Sequence, residues 1–130
     1  MPANLASITP FFVVSSIKDS VSFYVNKLGV ELRHIGPEED PFFAMVGRDQ
    51  ISIMLKEIAD DIRQIPNHIH HGWARWDAYI FTPEPNDLFE EYNSNGVSFR
   101  QPIQDDNDGL LGFELADADG YVLFFGRTTS

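Results

Sequence analysis

The sequence FVVSSIKDSVSFYVNKLG, residues 12–29, predicts a strand, a turn and an amphipathic helix in immediate succession. The strand belongs to a β-branched and aromatic run that begins at Ile8. Pro10 within this run predicts a sheet edge or a bulge, because proline cannot donate a hydrogen bond to a neighbouring strand. Ser16 is a suitable N-cap, apolar residues then recur at helical spacing, and Gly29 supplies the C-terminal stop. The helix should therefore bury one face.

Three more strands are predicted after this helix. They occupy residues 30–35, 42–46 and 50–56, with an exposed turn at 36–41 and a tight turn at 47–49. The first half of the chain therefore has the order β-α-β-β-β.

The second half repeats this order after a polar connector with a short helical turn. It contains a strand at 78–81, a helix from Glu84 to the stop at Asn95-Gly96, strands at 97–100, 111–115 and 121–125, and turns at 105–109 and 117–120. The recurrence predicts an internal duplication, although two α+β halves can also resemble each other by coincidence. We expect one domain over residues 1–130, with module one at about 6–57, the connector at about 58–73 and module two at about 74–128.

Composition and charge restrict the classes of function. Hydrophobic residues make up 43% and charged residues 22% of the 130 residues, as in ordinary soluble domains. The net charge of −11, with only nine Lys and Arg residues, disfavours nucleic acid and anionic membranes as partners. No signal peptide or membrane span is evident, and the absence of cysteine fits the cytoplasm. Eleven Phe, four Tyr and two Trp residues are enough for some of them to line a pocket.

Two stretches resemble a known family. Residues 12–29 resemble the opening of the glyoxalase/bleomycin-resistance/extradiol-dioxygenase superfamily, also called vicinal oxygen chelate (VOC), with its Phe-Tyr and Leu-Gly pairs. The sequence ADADGYVLFFG, residues 116–126, resembles the closing Asp-Pro-Asp-Gly turn and strand, with Ala118 where proline is usual. Residues 76–79 and 109–113 extend the match over the whole chain. The resemblance implies an α+β fold in which two βαβββ modules form a curved mixed-sheet cup.

The same resemblance implies four metal-ligand positions on the first and last strands of the modules. They fall here on Thr9, Met54, Asp77 and Phe124. Of these, only Asp77 can bind a divalent cation. A register shift by one residue gives Ile8, Ile53, Trp76 and Leu123, which form no ligand set either. We therefore predict no metal, no cofactor and no catalytic residue of the usual kind.

The predicted cup is lined mainly by aromatic residues. Alternation along the strands predicts which side chains point into the cup, and the two tryptophans flank the start of module two. The predicted ligand-binding set is Thr9, Phe11, Ser52, Met54, Trp73, Trp76, Asp77, Tyr79, Phe113 and Phe124. Such a lining suits a flat or cationic ligand through stacking, cation–π contact and an ion pair to Asp77. The alternative is that the rings fill the cup as core. Trp73 is expected at the rim, and Glu114 at the surface.

The connector contains three close histidines, His68, His70 and His71. Their spacing lacks the carboxylate support and fixed geometry of a structural metal site, so a solvated loop is the simpler interpretation.

Three hypotheses for function follow. The first is a metal-free small-molecule binding protein similar to the bleomycin-resistance branch, for which the resemblance implies a homodimer. The second is a glyoxalase-like lyase or isomerase, or a dioxygenase, with unconventional ligands from Asp77, Glu114 and a connector histidine. The third is a catalytically silent module that binds a protein partner, with a filled cup and an apolar outer patch.

Overall fold

The computed structural model describes residues 3–59, 61–106 and 109–129. Module one consists of β1 (Phe11–Val14), α1 (Ile17–Leu28), β2 (Glu31–Gly36), β3 (Phe43–Arg48) and β4 (Ile51–Glu57). The connector carries the single-turn helix α2 (Asn67–His70). Module two consists of β5 (Ala78–Phe81), α3 (Pro85–Ser94), β6 (Phe99–Asp105), β7 (Leu110–Ala116) and β8 (Val122–Thr128).

The two modules have the same sheet topology. The strand orders are β1-β4-β3-β2 and β5-β8-β7-β6, and in each sheet the first strand lies at the edge, parallel to the last. The remaining pairs are antiparallel. The predicted α+β fold of two βαβββ modules is confirmed, as is the edge position of the strand that follows Pro10. No helix in the described part of the chain is long and apolar enough to cross a membrane.

Local signals set the ends of α1 as the sequence predicts. The Ser16 side chain accepts a hydrogen bond from the backbone N–H of Asp19 at 3.1 Å. Gly29 ends the helix with a φ of 64°, which is left-handed backbone that glycine adopts without a steric penalty.

Several predicted boundaries are wrong, including the start of the first strand, which is Phe11 rather than Ile8, and the end of the last strand, which is Thr128 rather than Phe125. The turn expected at 47–49 lies at Asp49 and Gln50, because β3 continues through Arg48, which pairs with Ile51 of β4. The strand expected at 97–100 begins at Phe99 and runs to Asp105. The predicted turn at 105–109 is therefore shorter, and its residues 107 and 108 lie outside the described ranges.

The modules pack against each other through their helix-bearing faces. Alternate strand residues and both helices contribute to one core, which includes Phe12, Tyr24, Leu28, Leu55, Tyr92, Phe113, Leu123 and Phe125. Between the modules, the Phe12 and Tyr121 rings stack at 4.3 Å, and the Tyr121 hydroxyl donates to the Val13 carbonyl at 2.7 Å. Because strand residues alternate, the other face of each sheet points away from this core. We call these outward faces the cup faces.

A buried carboxyl also joins the modules. Asp117 accepts a 2.6 Å hydrogen bond from the Tyr24 hydroxyl and two more from the backbone N–H groups of Asp119 and Tyr121. Asp117 is only 7% exposed, and burial raises the pKa of its carboxyl to about 6. The folded chain therefore binds a proton at Asp117 more readily than the unfolded chain does.

This shift predicts how stability changes with pH. The folded pKa lies above the unfolded value, so the contribution of Asp117 is present below about pH 4 and is lost as the pH rises through about 6. Asp117→Asn cannot ionise, yet it keeps an acceptor for the two backbone donors. We expect the unfolding free energy of the wild type minus that of Asp117→Asn to rise by roughly 2–3 kcal/mol from pH 7.5 to pH 4. Urea unfolding at both pH values measures this difference, and a difference that is independent of pH would contradict the assignment.

Candidate functional site

Three aromatic rings pack together on the cup face of module two, with Phe124 buried and Trp76 and Tyr79 packed against it. The centroid of Phe124 lies 4.6 Å from that of Trp76 and 5.2 Å from that of Tyr79, and Trp76 and Tyr79 are 5.6 Å apart. The register explains the cluster, because Tyr79 of β5 lies beside Phe124 of β8 in the parallel pair and both point to the same side. We call Trp76, Tyr79 and Phe124 the aromatic platform.

Two glycines allow Phe124 to lie against the sheet. Gly112 and Gly126 are direct partners across β7 and β8. A Cβ added at Gly112 would come within 2.5 Å of the Phe124 ring, and one at Gly126 within 2.7 Å. The ring therefore occupies the space that side chains would fill, which explains why Phe124 is fully buried although it belongs to the cup face.

A buried carboxylate fixes the orientation of Trp76. Glu114 lies opposite Phe124 in the β7–β8 register and is only 4% exposed. It accepts hydrogen bonds from Arg75 at 2.8 Å and from the Trp76 indole N–H at 2.9 Å, while Arg100 lies 4.0 Å away. The Arg75 guanidinium also lies over the Trp76 ring, 4.8 Å from its centroid. The prediction that Glu114 lies at the surface is wrong, because these cationic and N–H donors compensate its burial.

Gln101 brings an unpaired donor to the same face. It lies opposite Glu114 in the β6–β7 register, so both side chains project from the cup face. Its amide nitrogen is buried and has no hydrogen-bond partner among the described residues. A buried donor of this kind is costly unless an acceptor approaches it.

Phe113 lies on the opposite side of β7 and does not line the cup. It is fully buried, stacks on Phe125 at 5.4 Å and makes edge contacts with Phe89, Tyr92 and Phe99. Its inclusion in the ligand-binding set is therefore wrong. The register places Phe113 beside Phe125 on the helix-bearing side, and its neighbour Glu114 takes the cup position.

The Asp77 carboxylate connects the connector helix α2 to strand β8. One carboxylate oxygen accepts the backbone N–H of Asn67 and the other accepts that of Val122, both at 2.8 Å. The Asn67 side chain in turn donates to the Trp76 carbonyl at 2.9 Å. Asp77 thus joins the start of α2 to the start of β8, which is a structural role that the sequence did not indicate.

The predicted residues of module one form a second, smaller group. The hydroxyls of Thr9 and Ser52 lie 3.1 Å apart, and Phe11 is the register partner of Met54 across β1 and β4. Phe11 remains 54% exposed. Within the described residues, no hydrogen bond or ring contact joins this group to the aromatic platform. One chain therefore presents the predicted ligand-binding residues in two separate groups.

The fold and sequence were compared with known proteins. Residues 5–125 match the family model described as Glyoxalase/Bleomycin resistance protein/Dioxygenase superfamily. The chain belongs to this superfamily. A search of curated proteins finds no significant match.

Solved VOC structures share the fold at low identity. TioX from Micromonospora sp. ML1 has 16% identity and a TM-score of 0.73, with 95% of this chain aligned to 98% of that chain. The bleomycin-binding protein from bleomycin-producing Streptomyces verticillus, complexed with copper(II)-bleomycin, has 22% identity and a TM-score of 0.69, with 95% of this chain aligned to 97% of that chain. A glyoxalase-related enzyme from Clostridium phytofermentans has 12% identity and a TM-score of 0.74, with 97% of both chains aligned.

The four residues that the resemblance assigns to metal-ligand positions do not suit a metal ion. A Thr hydroxyl, a thioether and a phenyl ring stand at three of the four positions, and Asp77 at the fourth already accepts two backbone hydrogen bonds. Over residues 3–59, 61–106 and 109–129, no three His, Asp or Glu side chains are grouped to hold an ion. The unconventional set of Asp77, Glu114 and a connector histidine is therefore not assembled.

Within the described residues, no hydrogen bond or ring contact joins the connector histidines or Trp73 to the aromatic platform. His68 makes a 3.1 Å hydrogen bond with the Gly120 carbonyl, and His71 accepts one from the backbone N–H of Trp73. The Trp73 side chain is 89% exposed and has an edge contact with His71. Trp73 is therefore the exposed tryptophan, whereas the Trp76 ring is held by its hydrogen bond to Glu114 and its contact with Phe124.

Sequence reasoning missed Arg75, Arg100 and Gln101. Arg75 directly precedes Trp76, and a cation next to a predicted pocket aromatic was the available signal. Arg100 and Gln101 gave none, because they approach Glu114 only through strand pairing.

Proposed function

We propose that this VOC protein binds a small flat molecule on the aromatic platform, without a metal ion. The observation that carries the proposal is the fixed Trp76 ring, which contacts Phe124, Tyr79 and Arg75 while its N–H donates to Glu114. A ring already held in place loses little conformational entropy when a ligand stacks on it. Stacking on a preorganised aromatic ring is a common basis for ligand affinity in sites that carry out no catalysis.

Charge and hydrogen bonding narrow the class of ligand. The net charge of −11 favours the approach of cationic or neutral molecules over anions. The unpaired Gln101 amide nitrogen on the cup face would gain from an acceptor oxygen or nitrogen on the ligand. We therefore propose a neutral or cationic aromatic compound with a hydrogen-bond acceptor, as for a sequestering protein of the bleomycin-resistance type.

A second copy of the chain is proposed to complete the cup. Phe11 and Tyr79 on the cup faces are 54% and 42% exposed. Because the helix-bearing faces are already buried against each other, the cup faces are free to meet those of another chain. A homodimer would place module one of one chain opposite module two of the other and would bring the module-one group of one chain to the aromatic platform of the other.

A ligand screen tests this function. A thermal-shift screen would compare cationic, neutral and anionic aromatic compounds of matched ring size on untagged protein, with metal content measured by elemental analysis. We expect cationic and neutral rings with an acceptor to raise the melting temperature, because a ligand that binds only the folded state stabilises it. Sedimentation velocity on the same samples should give the mass of two chains.

Two outcomes would count against the proposal. If no aromatic class stabilised the protein, ligand binding on the platform would be refuted. If stabilisation required a stoichiometric divalent ion, the metal-dependent alternative would replace it.

A further inference from the structure

A cavity lies between the modules, on the opposite side of both sheets from the cup faces. Its volume is about 500 Å³, which is in the range of sites for small organic molecules. Its inner part is apolar and includes Ile53 of β4, Tyr92 of α3 and Phe125 of β8. These residues belong to the shared core, whereas the neighbours Met54 and Phe124 point to the cup side.

One wall of this cavity is a helix face with two kinds of side chain. Three acidic residues recur at three- and four-residue spacing and line the cavity: the N-cap residue Glu84, and Asp87 and Glu91 within α3. The apolar side of the same wall consists of Leu88 and Tyr92. Glu84 and Asp87 are exposed, whereas Tyr92 is buried. The helix therefore presents carboxylates at the mouth and apolar groups towards the interior.

The only cation among the described lining residues is already engaged. Arg48 binds Glu91 through two hydrogen bonds, at 2.7 and 3.0 Å, and also donates to the Leu28 carbonyl at 3.3 Å. This ion pair lowers the pKa of Glu91 through the hydrogen bond from Arg48, and it joins β3 to α3 at one end of the cavity. The remaining acids at the mouth, Asp49, Glu84 and Asp87, leave it with an excess of negative charge.

From this geometry we propose that the cavity between the modules binds an amphiphilic monocation, with its apolar body inside and its ammonium group at the mouth near Glu84 and Asp87. The apolar interior removes hydrocarbon from water, and the carboxylates supply charge-assisted hydrogen bonds to N–H donors. An anion of the same shape would meet like charges instead. The site is separate from the aromatic platform and does not depend on the function proposed for it.

The test compares two probes that differ in the charged group. Calorimetric titration of the full chain with octylammonium, which has no ring to stack on the aromatic platform, should show binding, and titration with octanoate should show at least about tenfold weaker binding, since a like charge at the mouth costs of the order of 1–2 kcal/mol. Equal affinity for the two probes, or no binding of the ammonium, would overturn the proposal.

Variants locate the site. The double variant Glu84→Gln/Asp87→Asn should bind the ammonium roughly threefold to tenfold more weakly, because the two exposed carboxylates each contribute modestly. Glu38→Gln/Glu39→Gln makes the same change in net charge on an exposed turn of module one and should bind as the wild type does. Trp76→Leu should also retain binding, which separates this cavity from the platform. Equal losses in the two double variants, or loss of binding in Trp76→Leu alone, would refute the assignment.

Discussion

Replacing Phe113 with alanine is expected to lower the free energy of unfolding by about 3–5 kcal/mol. The side chain is fully buried and contacts four other aromatic rings, from α3, β6 and β8. Its removal would leave a cavity between α3 and the sheet that rigid neighbours fill poorly. Urea unfolding of the variant and the wild type measures the loss.

Phe42→Ala is the matched control for this prediction. Phe42 is 47% exposed and makes one cation–π contact with Lys56. The same substitution there should cost less than about 1 kcal/mol. If Phe113→Ala were no more destabilising than Phe42→Ala, Phe113 would have to lie in an open cup, and the register described for β7 would be wrong.

Trp76→Leu is expected to weaken the binding of an aromatic ligand by at least tenfold. An ordered tryptophan at the centre of a site commonly contributes about 2 kcal/mol, which corresponds to roughly thirtyfold in affinity. Leucine keeps much of the apolar volume but removes the stacking surface and the indole N–H that donates to Glu114. Arg75 remains as a partner for Glu114, so the fold should be retained.

The chain offers a control of identical chemistry for this substitution. Trp73→Leu makes the same change on the exposed connector, outside the aromatic platform. We expect it to change affinity by less than about threefold. A larger loss in Trp73→Leu than in Trp76→Leu would instead support a cup whose rim carries the binding, with Trp73 as its main contact.

Local sequence signals predicted the individual helices and strands because they act over short distances. The N-cap at Ser16, the left-handed Gly29 and the period-two strands each depend on neighbours within a few residues. Pro10 predicted either an edge or a bulge, and β1 lies at the edge. The duplicated order of elements and the family resemblance then fixed the arrangement of the strands.

The candidate site was predicted less completely because it depends on contacts between distant segments. Alternation showed that one of Phe113 and Glu114 faces the cup, but only the pairing of β7 with β8 decides which. The burial of Glu114 requires Arg75 and Trp76, which lie almost forty positions earlier in the chain. Asp77 presented the same difficulty, since its partners at residues 67 and 122 meet only in the folded chain.

The most direct test of the account is a calorimetric titration with the aromatic ligand that stabilises the protein best. It would be performed on the wild type before and after chelator treatment, and on Trp76→Leu and Trp73→Leu. The account predicts an affinity that chelation leaves unchanged, that Trp76→Leu reduces by at least tenfold and that Trp73→Leu largely preserves. Loss of binding after chelation, or equal affinity in wild type and Trp76→Leu, would contradict a metal-free site on the aromatic platform.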